Sequence, residues 1–130
     1  MMKKIIYKIA IITCISLYLL ACSAEYDNFV EPKAEMELDK TTVDVLEPVY
    51  IKNLGSGETF SFWPGDEGQD YSKVGESKNT GLPPNRGIDF EYTYLRSGTY
   101  TITLIASSLD EESGKFVQHL TSRQITVNPG

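Results

Sequence analysis

The feature that most restricts this chain is the two-residue alternation of Gly98-Thr-Tyr-Thr-Ile-Thr-Leu-Ile-Ala106. Tyr100, Ile102, Leu104 and Ala106 fall on one side of an extended backbone and Thr99, Thr101 and Thr103 on the other, because successive side chains of a strand point to opposite faces. β-Branched hydroxyl residues suit a wetted sheet surface, so the segment predicts a strand with one dry and one wet side. The dry side needs a second layer over it. From Thr41 onward no stretch carries the 3.6-residue spacing of a helix, which leaves another sheet to supply that layer.

The same alternation recurs along the chain. Val43 and Val45 share a face in Thr41–Leu46, Val49 and Ile51 follow Pro48, and Phe60 and Phe62 alternate in Glu58–Trp63. Ile88, Phe90, Tyr92 and Tyr94 come next, and Ile125 and Val127 close the series. Lys115–Leu120 is either a further strand or the start of one long final strand broken by a bulge. Pro48 can begin a strand but cannot donate within a ladder, and Asn53-Leu-Gly-Ser-Gly57 is a turn. About seven short strands separated by turn signals predict an all-β, two-layer sandwich. A small open barrel makes the same pattern and stays as the competing fold.

Ahead of these strands stands MMKKIIYKIAIITCISLYLLAC, with Lys3, Lys4 and Lys8 before or within an apolar run that ends in small residues. That order of charge, apolar core and small residues is a secretory signal peptide. The run from Ile9 to Ala21 falls short of the roughly 20 residues a membrane-spanning helix needs. Leu19-Leu20-Ala21-Cys22 resembles the lipid-attachment site of bacterial lipoprotein precursors. The resemblance implies cleavage after Ala21, a diacylglycerol on the Cys22 sulfur and acylation of the new terminus. Each buried methylene adds about 0.8 kcal/mol, and several chains hold far less reversibly than one. The expected partner of this end is therefore the membrane, through Cys22. Cys14 leaves with residues 1–21, so no disulfide is expected in the domain despite an exported location. The acidic residues soon after Cys22 resemble surface-exported lipoproteins of the Bacteroidota type, and the expected location is the outer membrane, on its periplasmic or cell-surface side.

Removal of the three signal-segment lysines leaves 9 basic residues against 18 acidic ones. Nucleic acids are bound by clustered positive charge, so that balance argues against a nucleic-acid partner. Residues 22–40 are polar and charged and read as a lipid-anchored tether, and 41–128 as the sandwich domain. Its length is enough for one modest core without disulfides.

Within the domain, Tyr94, Gly98, Tyr100, Ile102 and Leu104 resemble the late hairpin of the PKD family of immunoglobulin-like domains. Phe62-Trp-Pro-Gly-Asp-Glu-Gly68 is similar to that family's aromatic, Gly-Asp, Gly segment, with Glu67 inserted. The resemblance covers roughly Lys40–Asn128 and implies an immunoglobulin-like β-sandwich, PKD-like, with a binding or spacing role. Independently of it, Gly98 sits where a positive φ or tight approach is cheap only without a Cβ. The Tyr100 hydroxyl is placed to bond to backbone as in a tyrosine corner.

Segment 64–87 is a long connection rich in turn formers, the kind that is often functional. Asp66, Glu67 and Asp70 offer hard oxygen ligands to Ca²⁺, although without the spacing of a helix-loop-helix calcium loop; a solvated turn is the plain alternative. No other cofactor is indicated. Trp63, expected to face outward or to flank the loop if Phe60 and Phe62 face the core, and Tyr71 are the candidate ligand-binding rings for a polysaccharide or an envelope protein. Tyr92 and Tyr94 are further rings, and Asn79, Asn85 and Asp70 are candidate hydrogen-bonding groups. The sole histidine, His119, has no recognisable nucleophile or acid to work with, so the chain reads as non-catalytic. Two alternatives stay open: a small hydrolytic enzyme using acidic residues of 64–87, which requires two carboxylates within about 5–10 Å, and a truncated module of a larger surface lipoprotein.

Overall fold

The computed structural model describes residues 29–76 and 78–130. The signal segment, Cys22 and the start of the expected tether lie outside the described residues. Seven strands build the domain: β1 (Met36–Leu38), β2 (Thr42–Asp44), β3 (Pro48–Asn53), β4 (Thr59–Trp63), β5 (Phe90–Thr93), β6 (Gly98–Asp110) and β7 (Lys115–Asn128). They form a three-stranded sheet in the order β1-β3-β5 and a four-stranded sheet in the order β2-β7-β6-β4. β2 pairs with β7 in parallel, and the other ladders are antiparallel. No ladder joins the two sheets among the described residues, so the architecture is an immunoglobulin-like β-sandwich and not the small open barrel.

The inward positions are those the alternation selects. Val49 and Ile51 of β3, Phe90 of β5, Ile102 and Leu104 of β6, and Ile125 and Val127 of β7 are all buried in one core with Phe62 and Tyr94. Phe60, Tyr92 and Tyr100 are partly buried against its edge. Gly98 has φ +153, a conformation that residues with a Cβ rarely take.

Three boundaries differ from those expected. β1 lies inside the segment read as a tether: Met36 pairs with Asn53 and Leu38 with Ile51, and Pro32, Ala34 and Met36 are buried while Lys33, Glu35 and Glu37 are exposed. The charges of Lys33, Glu35 and Glu37 are the solvent side of a segment that packs on the sandwich. Ile88 lies outside β5 and is 54% exposed, because Arg86 and Asp89 exchange backbone hydrogen bonds of 3.1 and 3.0 Å in a tight turn. Finally, β7 is one unbroken strand. Its partners on β6 run one for one from Gly98↔Val127 to Asp110↔Lys115, a register with no room for a bulge.

Candidate functional site

Segment 64–87 folds back over the sheet edge beside β4. Phe62 and Leu82 exchange backbone hydrogen bonds of 2.9 and 2.7 Å, so the segment contributes a short edge partner to β4. This return decides the fate of Trp63. Its side chain lies on the face opposite Phe62, as the alternation requires, yet it is only 8% exposed. Gly81 sits directly on the indole: a Cβ there would stand 2.6 Å from Nε1 and 2.8 Å from Cε2. Tyr71 meets the indole edge-on, with ring centroids 5.6 Å apart. The fold therefore brings together the two rings expected to bind ligand, but as packing partners: of the two placements expected for Trp63, it flanks the loop and does not face solvent. The indole N–H is buried with no hydrogen-bond partner among the described residues.

The three carboxylates expected to hold Ca²⁺ turn to three different partners. Asp66 accepts from the Glu67 amide (2.8 Å) and from the Tyr92 hydroxyl (3.0 Å). Glu67 reaches toward the Arg96 guanidinium at 3.9 Å with its side chain in solvent. Asp70 accepts from the amide and hydroxyl of Ser72 at 3.0 and 2.7 Å, capping the 3₁₀ turn Tyr71–Lys73. Among the described residues no three metal-ligating side chains gather, so the structure offers no assembled ligand set for the calcium expected at Asp66, Glu67 and Asp70. Local hydrogen bonding engages Asp66 and Asp70 because a short polar side chain in a turn finds its own backbone first.

The two asparagines are used in the same way. Asn79 accepts from the Asp70 amide at 2.9 Å and donates to the Asp70 carbonyl at 2.6 Å. Asn85 does likewise with Glu91, both bonds being 2.8 Å. Each closes the loop on itself as a backbone substitute would. His119 accepts at Nδ1 from the Ala34 amide, 2.8 Å away, and so fastens the start of the domain to β7.

The tyrosines form a ladder along one end of the core. Tyr92 and Tyr94 meet edge-on at 4.8 Å, and Tyr94 stacks on Tyr100 at 4.4 Å, a packing worth more than area alone. Tyr94 is fully buried and donates its hydroxyl proton to the Pro64 carbonyl at 2.7 Å. Tyr100 donates to the Arg96 carbonyl at 2.7 Å, the backbone bond expected of a tyrosine corner. Burial raises the Tyr94 hydroxyl far above its ordinary titration range, with the neighbouring Tyr92 adding to the effect. Burial and then the hydrogen bond to Asp66 raise Tyr92 in the same direction. These groups are locked structural donors at any physiological pH.

An open surface with binding chemistry lies elsewhere, on the outer face of the three-stranded sheet. Tyr50 of β3 is 40% exposed, and the Arg86 guanidinium carbon lies 4.9 Å from its ring centroid, within cation–π range. Arg86 is held there by Glu91 at 3.3 Å. Glu37, Asp39, Lys52 and Asp89 complete a groove of about 590 Å³. Asp39 accepts from the Tyr50 amide and Asp89 from the Asn53 amide, each at 2.9 Å through Oδ1. The result is a half-exposed aromatic ring ringed by charged hydrogen-bonding groups, the mixture that orients a polar ligand with an apolar face. Sequence reasoning did not single out Tyr50. The signal was present: Val49 and Ile51 point inward, so Tyr50 must point to solvent. Its pairing with Arg86, 36 residues later, is set by the turn before β5.

No family model matches the chain, and no curated protein matches it. Among solved structures, the crystal structure of the PKD1 domain of Vibrio anguillarum Epp is similar, at 19% sequence identity and a TM-score of 0.49, with 76% of this chain and 95% of that chain covered.

Proposed function

We propose that this chain is a cell-envelope lipoprotein, held to the outer membrane by lipid on Cys22, whose sandwich is a non-catalytic recognition module. Its ligand surface is the Tyr50–Arg86 groove, and the ligand class that suits it is a polysaccharide carrying hydroxyl and cationic or neutral polar groups. The observation that carries the reading is the half-exposed Tyr50 ring beneath Arg86, with the carboxylates of Glu37, Asp39 and Asp89 lining the same groove. A sugar ring offers an apolar face to the aromatic and hydroxyls to the carboxylates. The basic strand of evidence for the anchor is the Leu-Leu-Ala-Cys sequence at 19–22.

Two measurements test this. Mass spectrometry of the mature amino terminus is expected to find acylated Cys22. Glycan-array binding is expected to be lost in Tyr50→Ala while the circular dichroism and melting of the domain stay unchanged. Binding that is retained in Tyr50→Ala and lost in a folded Tyr71→Ala variant moves the ligand surface back to segment 64–87.

A further inference from the structure

The turns at one end of the sandwich are tied to one another by hydrogen bonds. In the turn between β3 and β4 the Leu54 amide donates to the Glu35 carbonyl at 2.9 Å, and Lys33 and Ser56 exchange backbone bonds of 2.8 and 2.9 Å. The Ser56 hydroxyl reaches the Glu31 carbonyl at 3.0 Å. The Asn53 side chain donates to the Ile88 carbonyl, and the Leu109 amide to the Glu58 carboxylate, each at 3.2 Å. With His119 holding Ala34, these bonds gather the first described residues, the start of β5 and the β6–β7 hairpin at a single end. Phe29, Val30, Leu54, Ile88, Phe116 and Val117 stand exposed there, six of the eleven large apolar side chains exposed among the described residues. Exposed apolar residues scattered singly need no explanation, but such a gathering at one end marks a contact surface.

We propose that this end rests on the surface of a lipid bilayer with zwitterionic headgroups, which builds on the reading that the chain is held to a membrane through Cys22. The length and content of the chain ahead of Phe29 choose this occupant. Seven residues lead from Cys22 to Phe29, and at about 3.3–3.6 Å per residue they span at most about 25 Å. The apolar run Ile9–Ala21 ends immediately before Cys22. Whether lipid on Cys22 or the run itself does the holding, hydrocarbon lies within one tether length of the apolar end. So short a tether keeps the local concentration of membrane high, and side chains too few to bind alone then add to the hold. Charge selects the lipid. Glu31, Glu35, Glu58, Asp110, Glu111 and Glu112 lie at this end against Lys33 and Lys115, an excess that an anionic surface repels and a zwitterionic one does not. The carboxylates stay among the headgroup ammonium groups while Phe116 and its neighbours reach the acyl boundary. Seated this way, the strands rise from the bilayer and the Tyr50–Arg86 groove opens sideways.

The test uses the processed chain, residues 22–130, which contains every described residue and in which Cys22 is the only thiol. Coupling that thiol to a maleimide-bearing lipid in phosphatidylcholine vesicles supplies the tether chemically. The outcome then does not depend on acylation by a host, which mass spectrometry of the mature terminus tests separately. Trp63 closes β4 at the end away from the β3–β4 turn and, being buried, gives a constant background. Brominated acyl chains are expected to quench the emission of a Phe116→Trp variant at least about twofold more than that of a Leu95→Trp variant, whose substitution lies in the β5–β6 turn at the opposite end. A Leu54→Trp variant is expected to behave as Phe116→Trp does. Replacing part of the phosphatidylcholine with phosphatidylglycerol at low salt is expected to reduce the quenching at both sites. Equal quenching at positions 116 and 95, or none at 116 and 54, overturns the proposal. So does quenching that strengthens with phosphatidylglycerol. A blue shift of the Phe116→Trp emission that requires a soluble envelope extract overturns it as well, and assigns this end to a protein partner.

Discussion

The hydroxyl of Tyr94 is the most informative atom to remove. Tyr94→Phe keeps the ring, and with it the contacts to Tyr92 and Tyr100, and deletes a 2.7 Å bond to the Pro64 carbonyl at a fully buried site. The carbonyl is then left without a partner where water does not reach. An orphaned buried acceptor costs about 1–3 kcal/mol, so a loss of about 2 kcal/mol is expected. For a domain of this size each kcal/mol moves Tm by roughly 4–8 °C, which gives a drop of about 8–16 °C. Tyr100→Phe is the control. It deletes a bond of the same length to the Arg96 carbonyl, but one exposed to solvent, where water replaces the lost donor and the expected cost is below about 1 kcal/mol. Urea unfolding of the Cys22→Ser chain, followed by Trp63 fluorescence, measures both. Equal losses in the two variants would refute the claim that burial, and not the hydrogen bond as such, sets the cost at this end of the sandwich.

Three further outcomes are expected. Trp63 is the sole tryptophan, and because it is buried its emission lies at short wavelength, resists quenching by iodide and moves to the red on unfolding; strong quenching of the folded protein counts against the closed loop. Gly81→Ala pushes a methyl group into the indole and is expected to cost about 1–3 kcal/mol through overpacking, seen as a lower urea midpoint together with a red-shifted emission. Alkaline stability reports on Tyr94. Its folded pKa is raised above the ordinary 10.0, so the native state keeps a proton that the unfolded chain releases. Stability is then full below pH 10 and falls above it by about 1.4 kcal/mol per pH unit for this one group. A Tyr94→Phe variant should show a shallower decline, and an unchanged slope contradicts the assignment.

The groove proposed above was legible in the sequence only in part. Every strand has period two, so Tyr50 was bound to face away from Val49 and Ile51, and Phe116 away from Val117. Neither fact alone says whether solvent or protein lies beyond that face. Trp63 is the counterexample: its sidedness followed from Phe62, yet the outward face at that point is covered by Gly81 and Tyr71, 18 and 8 residues along the chain. The carboxylates of 66–70 failed as a ligand set for a related reason. Their proximity in sequence was real, but Asp66 and Asp70 met nearer partners in the folded loop and Glu67 turned to solvent.

The sequence by itself determined an all-β domain of facing layers, sandwich or small barrel, since one-sided strands without helices have nowhere to bury their apolar face except against more sheet; that the strands divide into two sheets was decided by the tertiary structure. The sequence also determined which residues of each strand point inward, because that alternation is a local property of extended backbone. Tertiary structure alone decided which outward faces stay open. Closure of Trp63, the meeting of Arg86 with Tyr50, the strand hidden among the charges at 36–38 and the gathering of exposed apolar side chains at one end all depend on contacts between segments distant in the chain. No short window of residues holds that information, because the free energy that selects those contacts belongs to the assembled sheets.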